Sequence, residues 1–117
     1  MEQTEAFWIL ASVDRQLLLH ELLEHEGTAP IDGLSRQVAA RRHSVASEKI
    51  DDGTIDRARI RLVHSHLPRL EEKRVIDVDW DDEAVSLTRD ESVAQLLEAA
   101  TELESWPPTD LFDRPSR

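Results

Sequence analysis

Arg57, Arg61 and Arg69, with Ser65 between them, recur at four-residue and eight-residue steps, a spacing that places all four on one side of a helix. Guanidinium forks at successive turns suit bidentate contact with guanine or phosphate, and a serine hydroxyl can donate to a phosphate oxygen. Arg36, Arg41 and Arg42 form a second group, placed to hold a nucleic-acid backbone. The chemistry these residue types point to is recognition of double-stranded DNA. The same spacing also fits a solvated helix face, with Asp56 and Glu72 nearby.

Other chemistries find less support. His20 and His25 are five residues apart and His64 and His66 two apart, while His43 stands alone. None of these spacings puts two imidazoles on one helical face, so no metal site is expected. The chain has no cysteine, which removes disulfides, Cys-type zinc sites and thiol nucleophiles. Its 25 acidic residues sit in no catalytic motif, and three glycines leave little material for phosphate-cradling loops. The expectation is a protein that is not an enzyme, with no cofactor and no evident small-molecule ligand.

The formal net charge of −11 argues on average against nucleic acid, but the charge is unevenly spread. Residues 36–74 hold ten cations and six acids, which leaves the rest of the chain at −15. A basic middle thus lies inside an acidic shell. No run approaches the roughly 18 apolar residues of a membrane span. The acidic start, Met1-Glu2-Gln3-Thr4-Glu5, lacks the positive flank of a signal peptide, so a cytoplasmic protein is expected.

The elements that must position these residues follow from periodicity. Ala6–Ala11 reads as a short helix whose Phe7, Trp8, Ile9 and Leu10 need cover. Ser12 caps a helix in which Leu18, Leu19, Leu22 and Leu23 share a face, with Leu17 beside it and Gly27 as the closing C′ residue. Thr28–Ile31 is extended, and Asp32 caps a helix over Gly33–Arg42 with Leu34 and Val38 inward. After a polar connection ending in Asp51-Asp52-Gly53, a longer helix runs from about Thr54 to Lys73. Its expected core stripe is Ile60, Val63, Leu67 and Leu70, and Pro68 should kink it or restart its last segment. The period then changes to two: Ile76, Val78 and Trp80 alternate, Asp81-Asp82-Glu83 turns, and Val85 and Leu87 return, which makes a β-hairpin. Trp80 is expected to pack on the long helix. Asp90 caps a last helix, and Trp106-Pro107-Pro108 stops it.

This order, helix, short strand, two helices, hairpin and helix, is mainly α with a β-hairpin wing, the winged helix-turn-helix arrangement. The run His66-Leu67-Pro68-Arg69-Leu70-Glu71-Glu72-Lys73-Arg74-Val75-Ile76 resembles the junction joining recognition helix to wing in many small transcription regulators. Together with Ile60–Leu70 and the Leu18–Gly27 segment, it resembles a haloarchaeal winged helix-turn-helix domain family of uncharacterised function. Twelve arginines against two lysines on an acidic chain also resemble the style of salt-loving archaea. In roughly molar salt the Debye length is about 3 Å, so a local basic face could approach DNA despite the acidic total. The resemblance covers residues 12–88 and implies a DNA-binding transcriptional regulator with its recognition helix at about 54–73. Three departures accompany it: Arg74 stands at the junction's usual glycine, the wing turn is acidic, and the connection before the long helix is about ten residues.

One domain is expected over 1–105, with a core at 12–88, a C-terminal helix at 90–105 and a loose tail at 106–117. The stripe Val93, Leu96, Leu97, Ala100 and Leu103 either packs on its own domain or forms a two-fold homodimer seam, the dimer being favoured. The alternative function is a protein–protein adaptor that keeps the winged-helix fold without binding DNA, which the acidic wing favours.

Overall fold

A computed structural model describes residues 3–103. Six helices and a small antiparallel sheet enclose one apolar core: α1 (Gln3–Leu10), α2 (Val13–Glu24), β1 (Thr28–Pro30), α3 (Ile31–Arg42), α4 (Asp52–Arg61), α5 (Leu67–Glu72), β2 (Ile76–Asp79), β3 (Ala84–Leu87) and α6 (Glu91–Ala100). The architecture is α+β and mainly helical. No helix among the described residues is long and apolar enough to cross a membrane.

Helix α2 begins at the expected cap, where the Ser12 hydroxyl oxygen accepts the Arg15 N–H at 3.3 Å. It buries Leu17, Leu18, Leu19 and Leu22, whereas Leu23, expected on the same face, is 41% exposed. Helix α3 starts earlier than expected: Pro30 is its N-cap and Asp32 lies inside the first turn. Proline is tolerated there because the first amides of a helix have no internal partner.

Helices α2, α3 and α5 all close through the same pair of hydrogen bonds, with a non-glycine residue in the left-handed region. Those residues are Glu26 (φ 60°), Ser44 (φ 54°) and Arg74 (φ 63°). The following amide reaches back five residues in each case: Gly27 to the Leu22 carbonyl, Val45 to Ala40 and Val75 to Leu70. Glu26, not Gly27, is therefore the C′ residue of α2.

The longest rod, α4 to α5, is interrupted by a π-helical turn over Leu62–His66, in which the Leu67 N–H bonds to the Leu62 carbonyl. Pro68 follows at the start of α5 and has no N–H to offer the preceding turn. The turn inserts one residue into the helical period, so the buried positions are Ala58, Leu62, Leu67 and Leu70, with steps of four, five and three. Ile60, expected in the core, consequently points out and is 56% exposed, while Val63 is only partly buried against the core.

The sheet has the order β1-β3-β2, with both pairs antiparallel. Val85 at the centre of β3 is fully buried. The outer edge of β2 is partly closed by Glu71, whose Oε2 accepts the Val78 N–H at 3.3 Å. In the hairpin turn the Asp79 carboxylate accepts the Asp81 and Asp82 amides at 3.1 and 3.0 Å. Trp80 does not pack on the long helix as expected; it is 44% exposed and lines an acidic groove with Asp77, Asp79 and Asp81. Phe7 is exposed as well, although Trp8 packs partly against the core.

Helix α6 is capped by Asp90 and lies against α1. Val93, Leu96 and Ala100 are buried in the chain's own core, with Leu97 and Leu103 packed at its border. Of the two uses expected for this stripe, the fold takes the first, because α1 alone leaves the core open. Val93, Leu96 and Ala100 are thus taken up by the chain's own core, and Leu97 and Leu103 are only partly buried. The expected end of this helix at 105, Trp106 and the 106–117 tail lie outside the described residues.

Candidate nucleic-acid interface

Three elements, α3, α4 and the π-helical turn, converge on Asp14 in the first turn of α2. Its carboxylate is 3% exposed at the residue level. Oδ1 accepts from Arg42 Nη1 at 2.8 Å, Oδ2 accepts from Arg61 Nε at 2.8 Å, and His66 Nε2 lies 3.4 Å from Oδ2. Burial acts to raise the Asp14 pKa. The hydrogen bonds from His66 and Arg61 and the charges of Arg61 and Arg42 outweigh it, holding the carboxyl well below the usual carboxylate range. Asp14 is thus a fixed anion that orients two guanidiniums.

Those guanidiniums are not fully enclosed. The side chains of Arg42 and Arg61 remain 43% and 38% exposed. The π-helical turn contributes here, because it swings His66 onto the Asp14 side while Arg61 stays in reach from the preceding turn.

A second buried carboxylate lies seven residues along the same helix. Glu21 takes the Arg41 Nε, and with a side chain only 3% exposed it fixes the last turn of α3 to α2. Arg41, expected to meet a DNA backbone, is instead mostly covered and serves this tie.

The rest of the expected row divides. Arg57 is exposed and donates to the Thr54 hydroxyl at 3.2 Å. Ser65 is half-buried within the π-helical turn. Arg36 is exposed and donates to the Ser47 carbonyl at 2.8 Å. Arg69 is turned toward Trp8, its Cζ 6.0 Å from the ring centroid. Arg57, Arg61 and Arg69 therefore share a rod but not one continuous surface.

Several participants escaped the sequence reading. Arg15 stacks 4.0 Å from the Trp8 centroid, donates to the Trp8 and Ile9 carbonyls at 2.6 and 3.0 Å, and lies 3.4 Å from His66 Nδ1. With Nε2 facing Asp14, His66 fits both neighbours as the Nε2–H tautomer. Arg59 ties the rod to the rest of the fold through Asp32 at 3.2 Å and Glu83 at 2.6 Å. One signal was available: Asp14 and Glu21 are in phase with Leu17 and Leu18, so both carboxylates fall on the buried face. His20 and His25 likewise meet Glu24 and the Glu21 carbonyl, and no described group of three or more acidic, histidine or cysteine side chains is placed to hold a metal.

Residues 7–86 match the family described as Domain of unknown function (DUF7344). The chain belongs to this family. The DUF7344 region begins at the exposed Phe7 and ends in β3, so it includes Asp14, both of its arginines and all of the sheet but Leu87, and excludes α6. No curated protein and no solved structure matches the chain.

Proposed function

We propose that this chain is a double-stranded-DNA-binding transcriptional regulator built as a winged helix. In this reading α4, the π-helical turn and α5 form the recognition helix, at about 54–73, and the β2–β3 hairpin is the wing. The succession of α2, β1, α3, the α4–α5 rod, β2 and β3, with strand order β1-β3-β2, supports it. The protein acts by occupancy, with no catalytic step, in the cytoplasm.

One observation carries the reading: the Asp14 carboxylate holds both Arg42 and Arg61, whose side chains remain 43% and 38% exposed. Two pre-oriented forks lose little conformational freedom on meeting a phosphate, which accepts several charge-assisted hydrogen bonds at once. Arg57 and Ser65 extend the contact along the rod, and Arg36 flanks it from α3. The acidic hairpin, with Asp77, Asp79, Asp81 and Asp82, would stand away from the duplex.

The test is binding of the tagged protein to DNA from its own host, by crosslinking in cells and by titration across a salt series. Arg42→Ala and Arg61→Ala are each expected to weaken binding and to lower the salt slope by about one. DNA retention unchanged in the double variant overturns the reading.

The second reading, a protein–protein adaptor, draws on Trp80, which is 44% exposed among the acids of the hairpin. A stoichiometric protein partner lost on Trp80→Ala, with no DNA enrichment, would select it.

A further inference from the structure

We propose that the cleft between α1 and α5 is a binding site for a small aromatic anion, its ring against Trp8 and its anionic group between Arg69 and Lys73. The site uses neither Arg42 nor Arg61, although Arg69 and Lys73 lie at the C-terminal end of the same rod.

The cleft is lined by Trp8, Arg69, Glu72 and Lys73. Trp8 is half-buried and rigidly held, since Arg15 stacks on its ring at 4.0 Å and is itself tied to two backbone carbonyls of α1. Lys73 Nζ lies 5.2 Å and Arg69 Cζ 6.0 Å from the same ring centroid. Three cations therefore surround one indole.

Arg41, Arg42, Arg59 and Arg61 each pair with a carboxylate. Arg69 and Lys73, one helical turn apart, form no ion pair among the described residues. Burial chiefly lowers the Arg15 pKa; the charge of Arg69 adds to this and the charge of Asp14 opposes it, so Arg15 and Arg69 are close enough to repel one another. Among the described residues Glu72 is the one carboxylate that lines the cleft. An anion between Arg69 and Lys73 relieves that repulsion.

The indole decides what the anion carries. A planar ring stacks on the exposed part of Trp8, and Glu72 can accept an N–H or O–H from the ring's periphery. An aromatic carboxylate and a nucleoside monophosphate share this chemistry, a π face with a negative group at its edge.

The test uses the full chain, isotope-labelled, with the Trp8 indole N–H resonance assigned by Trp8→Phe. Benzoate and adenosine monophosphate are the anionic probes, and benzamide and adenosine the neutral controls. The expected result is a saturable shift of the Trp8 resonance with benzoate, adenosine monophosphate or both, and none with the controls; the responding probe identifies the source. Arg69→Gln with Lys73→Gln should weaken binding by roughly tenfold or more, while Arg69→Lys with Lys73→Arg retains it. If the double glutamine variant does not fold, Arg69→Gln alone, at an exposed position, makes the comparison. No saturable shift with either anion, equal shifts with the neutral controls, or unchanged affinity in the folded glutamine variant overturns the proposal.

Discussion

Arg61 donates its Nε–H to Asp14 Oδ2 at 2.8 Å, although the two residues are 47 positions apart in the chain. This bond joins the rod α4–α5 to the start of α2, and Arg42 meets the other oxygen of the same carboxylate. A single buried anion thus sets the placement of two cations that the sequence shows only as separate basic groups.

Asp14→Asn keeps the shape and removes the charge. It should destabilise the fold by about 3 kcal/mol, below the upper range for breaking buried pairs because both arginines retain access to water. Chemical denaturation of the variant checks this. A cost under about 1 kcal/mol would show that Asp14 does not hold the junction.

Acid should weaken the protein in two steps. Burial, and then the Arg41 charge, lower the His20 pKa, so the unfolded chain takes up that proton first and stability starts to fall below about pH 6.5. The Asp14 pKa is lowered too, so its contribution is complete above about pH 4 and is lost as pH falls further. Thermal unfolding against pH should lose the upper step in His20→Gln and the lower step in Asp14→Asn.

The π-helical turn predicts an inverted pair of costs. Leu62→Ala should destabilise by about 2–5 kcal/mol, as for a fully buried leucine. Ile60→Ala, at a position 56% exposed, should cost less than about 1 kcal/mol. An uninterrupted α-helix with Ile60 in the core would give the opposite order, so two denaturation curves decide the phase of the rod.

Arg74→Gly should stabilise the fold by about 1 kcal/mol. Arg74 holds φ 63° where α5 closes, a conformation that carries a steric cost for any side chain with a Cβ and little for glycine. A rise in the unfolding midpoint checks this, and a fall would mean that the Arg74 side chain has a compensating contact.

Element type and order were legible in the sequence because apolar periodicity and caps are local signals. Ser12, Asp90, the hairpin at 76–87 and the restart at Pro68 lie where composition puts them. The left-handed Arg74 was legible as well, as the residue standing where a glycine usually closes the junction. Phase within the long helix was not, because a π-helical turn leaves no clear mark in composition and rotates the residues before it by about 100° relative to those after it. That single inserted residue moved Ile60 out of the core and brought His66 to Asp14.

The sequence by itself determined the helices, the hairpin, the apolar core and the concentration of arginines in residues 36–74, all consequences of near-neighbour spacing. Only the tertiary structure decided which arginines are tied down and which are free. A carboxylate 47 residues away claims Arg61, one 20 residues away claims Arg41, and Arg69 and Lys73 lie beside Trp8 with no ion pair among the described residues. Charge pairing depends on distance in space, and periodicity along a helix carries no record of which distant helix will lie against it.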